Sequence, residues 1–308
     1  MILVCGEALI DFTPKKFGDE IGYVPHPGGS PFNVAITLGR LKADVSFFGK
    51  ISYDIFGEML FSFLKENNVD TRYLLRGREP TTLAFVIIGP DNEPHFVFYG
   101  DNSADSSIRS EELPYSFSSD IALMHFGSIS LIREPGASTL ESLMEREKGK
   151  ILISLDPNVR PILIHDKERY IERLEKWVSW SNLVKMSRAD LEWLYPGLSL
   201  EEMAQKYIGL GVDIVVVTLG ERGSKAFTKD GSIEVPAYKV KVVDTVGAGD
   251  SFMGGLLYWF WKIGKLNIKE FNSISLKDIE EGLKFASKVA GLTCTRAGAN
   301  PPYLEELD

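Results

Sequence analysis

Asp244-Thr245-Val246-Gly247-Ala248-Gly249-Asp250-Ser251-Phe252 is the stretch on which the reading of this chain turns. Three small residues precede an acid. Phe252, Leu256, Leu257, Trp259, Phe260 and Ile263 then follow at roughly helical spacing. Gly247, Ala248 and Gly249 therefore fall at a helix N-terminus, where the first N–H groups lack partners and the dipole is positive. Small residues let an anion come close to those N–H groups. Asp250 stands where that anion would be. A carboxylate there is wrong for storing phosphate. It is right for a base that takes a proton from a hydroxyl attacking a phosphoryl group. Taken alone, the string also reads as a glycine turn with Asp250 as a helix cap. It is not a dinucleotide loop, because position 252 is Phe, nor a P-loop, because Asp250 stands where Lys is required.

The 308 residues, 44% of them hydrophobic, suffice for one large α/β core. A net charge of −9, a pI near 5.2 and the lack of any basic block argue against nucleic acid and anionic membranes as partners. Cys5 and Cys294 sit in apolar settings and read as buried free thiols, which fits a reducing cytoplasm. Residues 1–7 read as a first strand, not a signal peptide. No apolar run reaches the ~18 residues of a membrane helix.

Strand-like and helix-like runs alternate. Residues 2–5, 45–48, 121–124, 151–155, 183–185 and 214–219 read as short buried strands. After Asp166, Ile171, Leu174 and Val178 line one helix face. Ser275 and Asp278 open the last long helix as a capping-box pair, and Phe285, Val289 and Leu292 continue its apolar face. Alternating β and α units predict a mostly parallel sheet covered on both faces, with ligands at the carboxyl ends of the strands. One region departs. Residues 82–88 and 95–99 form a hairpin pattern about the turn 89–94, and 11–13 and 22–24 suggest another pair about the turn 15–20. These antiparallel strands are either a lid over the site, built from about 12–26 and 81–105, or a plain edge hairpin. The whole chain, 1–308, reads as one α/β unit with that addition.

Other strings stand where strands end. Asp11 follows the first strand, and its carboxylate can accept from two neighbouring hydroxyls or be a solvated strand-end acid. In Gly28-Gly29-Ser30-Pro31-Phe32-Asn33, Ser30 suits a helix cap and Pro31 the first turn, while Asn33 offers a donor and an acceptor. Gly49, Asp54 and Gly57 read as turn and packing residues. Asp156-Pro157-Asn158-Val159-Arg160-Pro161 falls at a strand's carboxyl end, where Arg160 is either a site cation or a structural ion-pair residue. Lys185-Met186-Ser187-Arg188-Ala189-Asp190 and Thr218-Leu219-Gly220-Glu221-Arg222-Gly223 end the next two strands, the latter reading by itself as a hairpin turn. The histidines at 26, 95, 125 and 165 show no metal-ligand spacing, and His125 reads as a satisfied strand-end residue.

In order and over essentially the whole chain, these strings resemble the ribokinase-like (PfkB-type) sugar kinases. His125-Phe126-Gly127-Ser128-Ile129-Ser130-Leu131, Ser103-Ala104-Asp105 and the 156–161 string look most like bacterial fructokinases. The resemblance implies a catalytic base at Asp250 and an anion hole at Gly247, Ala248 and Gly249. It implies sugar contacts at Asp11, Gly28, Gly29, Asn33, Asn158 and Arg160. It implies nucleotide contacts at Lys185, Ser187, Thr218, Gly220, Gly223, Gly249 and Asn300. Many members carry Asn-x-x-Glu where this chain has Ser187 and Asp190, as bacterial fructokinases also do at the Ser. Asp190 is then expected to reach Mg²⁺ through water, and Asp244 to help hold a monovalent cation such as K⁺. The expected reaction is ATP plus D-fructose giving fructose 6-phosphate, in a homodimer paired through the lid. The alternatives are a 2-keto-3-deoxygluconate kinase, a nucleoside kinase and a catalytically silent sugar sensor.

Overall fold

The computed structural model describes residues 1–88 and 94–307. The expected turn residues 89–93 lie outside the described residues. The chain runs β1 (Ile2–Cys5), β2 (Leu9–Phe17), β3 (Glu20–Gly28), α1 (Ser30–Arg40), β4 (Val45–Phe48), β5 (Lys50–Ser52), α2 (Ile55–Glu66) and β6 (Leu75–Gly77). It continues β7 (Leu83–Ile88), β8 (Pro94–Tyr99), β9 (Leu123–Gly127), α3 (Gly136–Glu147), β10 (Leu152–Asp156), α4 (Lys167–Ser179), β11 (Leu183–Ser187) and α5 (Arg188–Leu194). It ends α6 (Leu200–Gly209), β12 (Ile214–Thr218), β13 (Ser224–Thr228), β14 (Gly231–Val235), α7 (Ala248–Lys262), α8 (Ile268–Phe271) and α9 (Leu276–Thr293).

The main sheet has the order β14-β13-β12-β11-β10-β9-β1-β4. It is parallel from β4 to β12, and an antiparallel pair, β13 and β14, forms one edge. The turn read at 218–223 joins β12 to that edge. Both faces of its parallel part are buried, as its largely apolar strands require. In β12, Ile214 and Val216 pack with α1, α7 and α9, while Val215 and Val217 pack with α3, α4 and α6. Asp166 caps α4 by accepting from Arg169 N at 3.0 Å, and Ser275 and Asp278 form the capping box of α9.

Helix α7 lies between α1 and α9 because two glycines thin it. A Cβ on Gly254 would meet Thr37 Cβ at 2.6 Å on α1, and one on Gly255 would meet Ala286 Cα at 3.0 Å on α9. This close crossing brings the N-termini of α1 and α7 together.

The strands outside the main sheet form a second sheet, β3-β2-β7-β8. Its two antiparallel pairs, β2–β3 and β7–β8, are joined by a short parallel pairing of β2 with β7. β2 and β3 are longer than the 11–13 and 22–24 patterns imply, and Phe17 pairs with Glu20 across a tight turn. Alternation gives the sheet two unlike faces. Asp11, His26 and Ala84 share one. Phe12, Tyr23, Phe85, Ile87, Val97 and Tyr99 share the other, where Phe12 stacks on Phe85 at 4.7 Å.

Candidate active site

The expected base is held by the neighbouring helix. Asp250 is the third residue of α7, whose N-cap is Gly247, so it is not a cap itself. Its Oδ1 accepts from Ser30 Oγ at 2.7 Å and its Oδ2 from Asn33 Nδ2 at 2.8 Å. Asn158 Nδ2 approaches Oδ1 at 3.5 Å. Ser30 therefore does not cap α1. Gly29 occupies that position, and the Ser30 hydroxyl is spent on a residue 220 positions away. Asp250 is buried. Burial pushes its pKa up, the hydrogen bonds from Asn33 and Ser30 oppose that rise, and Asp156 adds to it.

Asp11 joins this group from the second sheet. A Cβ at Gly28, which pairs with Leu9 and lies diagonally across from Asp11, would overlap Asp11 Oδ2, so only glycine leaves room for the carboxylate. Burial and the nearby Asp250 push Asp11 up to about 7, while Arg160 pulls it down. Arg160 Nη1 donates to Asn158 O at 2.9 Å and to Asn158 Oδ1 at 2.6 Å, and Asn158 itself has a left-handed φ of 38°. Arg160 thus shapes the turn and places its charge near Asp11.

The raised Asp11 has a stability consequence with a definite sign. Between about 4, where the unfolded chain releases this proton, and about 7, the folded state holds more protons. Stability therefore falls as pH rises through that window. Asp11→Asn removes the effect. Its melting temperature is expected to exceed wild type by roughly 3 °C at pH 8, with the gap closing toward pH 5 in paired thermal scans. An equal gap at both pH values would contradict the assignment.

On the other side of α7's first turn lies a cavity of about 930 Å³. Ser187, Thr218, Gly220, Gly223, Ala248 and Gly249 line part of it. Tyr238, Val242, Phe252, Ala290 and Cys294 supply apolar walls. Cys294 is thus half-buried on the wall rather than buried like Cys5. Lys185 lies beside Gly249, with its Nζ 3.5 Å from where a Gly249 Cβ would be. It forms a buried ion pair with Asp156 at 2.5 Å, so it is not a surface lysine. Asp156 Oδ1, also buried, has no partner.

Three expected contacts sit differently. Asn300 does not line the cavity. Its Oδ1 accepts from Arg40 Nη1 at 2.5 Å, because α1 ends with a buried Arg that captures the loop. Asp190 is buried with both oxygens in use: Oδ1 accepts from Val159 N at 2.8 Å, and Oδ2 from Ser187 N at 2.8 Å and Ser187 Oγ at 2.6 Å. It braces the 158–160 turn and leaves little room to hold a hydrated cation. Asp244 accepts from Val246 N at 3.0 Å and Gly298 N at 2.7 Å, tying two loops together behind the α7 turn. Among the described residues, no three His, Cys, Asp or Glu converge as a metal cage.

His125 is also not satisfied as expected. It lies within β9, fully buried, with Nδ1 3.0 Å from Ser154 Oγ and Nε2 unpartnered. Burial pushes it down to about 3, so it is neutral. Sequence reasoning missed Ser30 as a partner of Asp250 and Asp156 as a partner of Lys185. Both stand inside quoted strings, but pairs this distant in sequence carry no local signal.

A model of the pfkB family carbohydrate kinases matches residues 1–306. A fructokinase from Rhizobium leguminosarum bv. trifolii is 41% identical over 258 residues, which span 83% of this chain and 78% of that one. A fructokinase with bound ATP from Xylella fastidiosa superposes with a TM-score of 0.92 at 31% identity, covering 99% of this chain and 96% of its own. A fructokinase from Vibrio cholerae O395, in fructose, ADP and calcium ion bound form, superposes with a TM-score of 0.84 at 29% identity, covering 97% and 94%. Among the described residues, no helix is long and apolar enough to cross a membrane.

Proposed function

The chain belongs to the pfkB family of carbohydrate kinases, and on that premise we propose that it transfers the terminal phosphoryl group of ATP to the 6-hydroxyl of D-fructose. The observation that carries this reading is Asp250. It is a buried carboxylate held by Ser30 and Asn33 at a glycine-rich helix N-terminus that opens onto the large cavity. The fructokinases with ATP or with fructose and ADP support both substrates.

In this mechanism Asp11 accepts from two neighbouring sugar hydroxyls. Asn33 and Asn158 add amide groups around the ring, beside the bare backbone of Gly28 and Gly29. Asp250 takes the proton of the 6-hydroxyl as that oxygen forms its bond to phosphorus. The bond from phosphorus to the ADP oxygen breaks, and its electron pair leaves with ADP. The N–H groups of Gly247, Ala248 and Gly249 face the transferring phosphoryl oxygens, with Lys185 alongside. Thr218, Gly220, Gly223 and Ser187 line the nucleotide's cavity. Asp156, whose buried Oδ1 has no partner, would hold Mg²⁺. When bound, Mg²⁺ neutralises phosphate charge. Asp244 remains the residue through which we expect K⁺ to act, by way of the loops it joins. The second sheet acts as a lid whose Asp11 face closes on the sugar and excludes water.

Charge favours fructose over 2-keto-3-deoxygluconate. Lys185 is already paired with Asp156, and Arg160 is held on Asn158 beside Asp11, so an acid sugar would find no uncommitted cation. The test is ADP release with fructose, 2-keto-3-deoxygluconate, ribose, glucose and adenosine, each with and without K⁺. A dominant fructose rate is expected. A dominant acid-sugar or adenosine rate would overturn the substrate assignment, and equal rates in Na⁺ and K⁺ the cation assignment.

The outer face of the lid leads to a second expectation. Ile21, Tyr23, Ile87, Val97 and Tyr99 share it, and Ile21 and Tyr99 are 66% and 64% exposed. Such a face suits pairing with a second copy. Light scattering is expected to give twice the 34.4 kDa chain mass, and Tyr99→Glu to halve it. A wild-type monomer would contradict lid pairing.

A further inference from the structure

We propose that Glu7 is a positioning residue that caps α1 from outside the helix and thereby holds the Ser30 hydroxyl on the base. Glu7 follows β1 and is 1% exposed, yet the mechanism above gives it no part. A charged side chain is rarely buried without a reason. Its Oε1 accepts from Ser30 N at 3.1 Å. Its Oε2 accepts from Ser130 N at 3.2 Å and from Ser130 Oγ at 2.5 Å. One carboxylate therefore joins the end of β1, the start of α1 and the turn after β9.

Helix α1 needs this partner. Its N-cap is Gly29, which has no side chain, and its first turn holds no acid. The first N–H groups of a helix have no partner inside it, and the dipole there favours negative charge. Glu7 supplies the missing acceptor from another element. Gly29 has φ 105°, and a Cβ on it would lie 2.9 Å from Glu7 O and 3.3 Å from Glu7 Cγ. Strand end and helix start are thus in direct contact, and only glycine fits between them.

The consequence reaches Asp250 in one step. Ser30, whose amide Glu7 holds, donates its hydroxyl to Asp250 Oδ1 at 2.7 Å. Two ends of one residue are therefore fixed, one by Glu7 and one by the base. A shift of the α1 N-terminus would turn the carboxylate or leave Oδ1 with only the 3.5 Å approach of Asn158 Nδ2. The nucleotide cavity does not include Glu7 or Ser30, so nucleotide affinity should not respond. This inference rests on reading Asp250 as the base.

The test is a double-mutant cycle on kcat with Glu7→Gln, Ser30→Ala and the pair. Glu7→Gln keeps the shape but turns an N–H₂ toward the donors of Ser130 or Ser30. Each single change is expected to lower kcat about tenfold, in keeping with hydrogen bonds to a charged group. The double variant is expected to fall no more than about twofold below the worse single one, because both act through the same contact. KM for ATP should stay within about twofold of wild type. A multiplicative, roughly hundredfold loss in the double variant would overturn the proposal, as would Glu7→Gln with wild-type kcat. Should Glu7→Gln fail to fold, Ser130→Ala serves instead. It removes one donor to Oε2, and about a threefold loss that is non-additive with Ser30→Ala is expected. A loss that multiplies with Ser30→Ala, or none, would overturn the proposal. The base reading fails separately, by Asp250→Asn retaining turnover.

Discussion

Asp250→Asn is expected to lower kcat by about 10³-fold while leaving the affinity for fructose within a few-fold of wild type. The size follows from what the carboxylate alone can do. Asn keeps the volume and can still accept one hydrogen bond from Ser30 or Asn33, which now reach Oδ1 and Oδ2 at 2.7 and 2.8 Å. It cannot take a proton from an attacking hydroxyl. In the proposed mechanism sugar affinity draws on Asp11, Asn33 and Asn158 and should largely survive. Steady-state rates with calorimetry separate the two effects. A kcat within tenfold of wild type would remove Asp250 from the base role.

Gly249→Ala is expected to separate stability from activity in the opposite direction. Gly249 is the second residue of α7, with helical backbone and an exposed position. The nearest atom to an added Cβ is Lys185 Nζ at 3.5 Å, an ordinary contact. Ala is the better helix residue, so the folded state should gain up to about 1 kcal/mol. In the proposed mechanism the same methyl group would stand where the transferring phosphoryl approaches the N–H groups. A loss of about 10²-fold in kcat/KM is expected, of the size seen when one anion-stabilising donor is removed. Melting temperature and kcat/KM on one preparation decide it. Unchanged turnover would show that the phosphoryl group does not pass over Gly249. Gly247→Ala makes a poorer probe. Its left-handed φ of 74° and the 2.5 Å approach of Ala299 Cβ would damage the fold as well.

The sequence signals that proved legible were local ones. Small residues before Asp250 and the apolar spacing after it placed a helix start, and α7 begins at Ala248. The capping residues Asp166 and Ser275 marked the starts of α4 and α9 because a cap acts within one turn. The parallel core was legible because strands buried on both faces must be apolar throughout. Edge strands were harder. β13, Ser224-Lys225-Ala226-Phe227-Thr228, does not alternate, and β14 opens on Gly231 and Ser232, so neither five-residue run carries a clear strand period.

Contacts between distant elements were not legible. Ser30 carried every mark of a helix cap, and only the crossing of α1 with α7 turns its hydroxyl to Asp250. Asn300 was placed by its position after the last helix. Arg40, which takes up its side-chain oxygen, is 260 residues away and looks like any basic residue in a last helical turn. The resemblance placed Asp190 beside Mg²⁺, and in the structure it forms a capping box with Ser187 at the start of α5. Tertiary partners took up Ser30 and Asn300, while a local cap took up Asp190.

The most direct measurement is the product itself. Purified protein, ATP, Mg²⁺ and ¹³C-labelled D-fructose, followed by ³¹P and ¹³C NMR, should give ADP and fructose 6-phosphate in equal amounts, with the phosphorus coupled to C6. A phosphate on another carbon, or ADP with inorganic phosphate and unchanged sugar, would contradict transfer to a 6-hydroxyl held against Asp250.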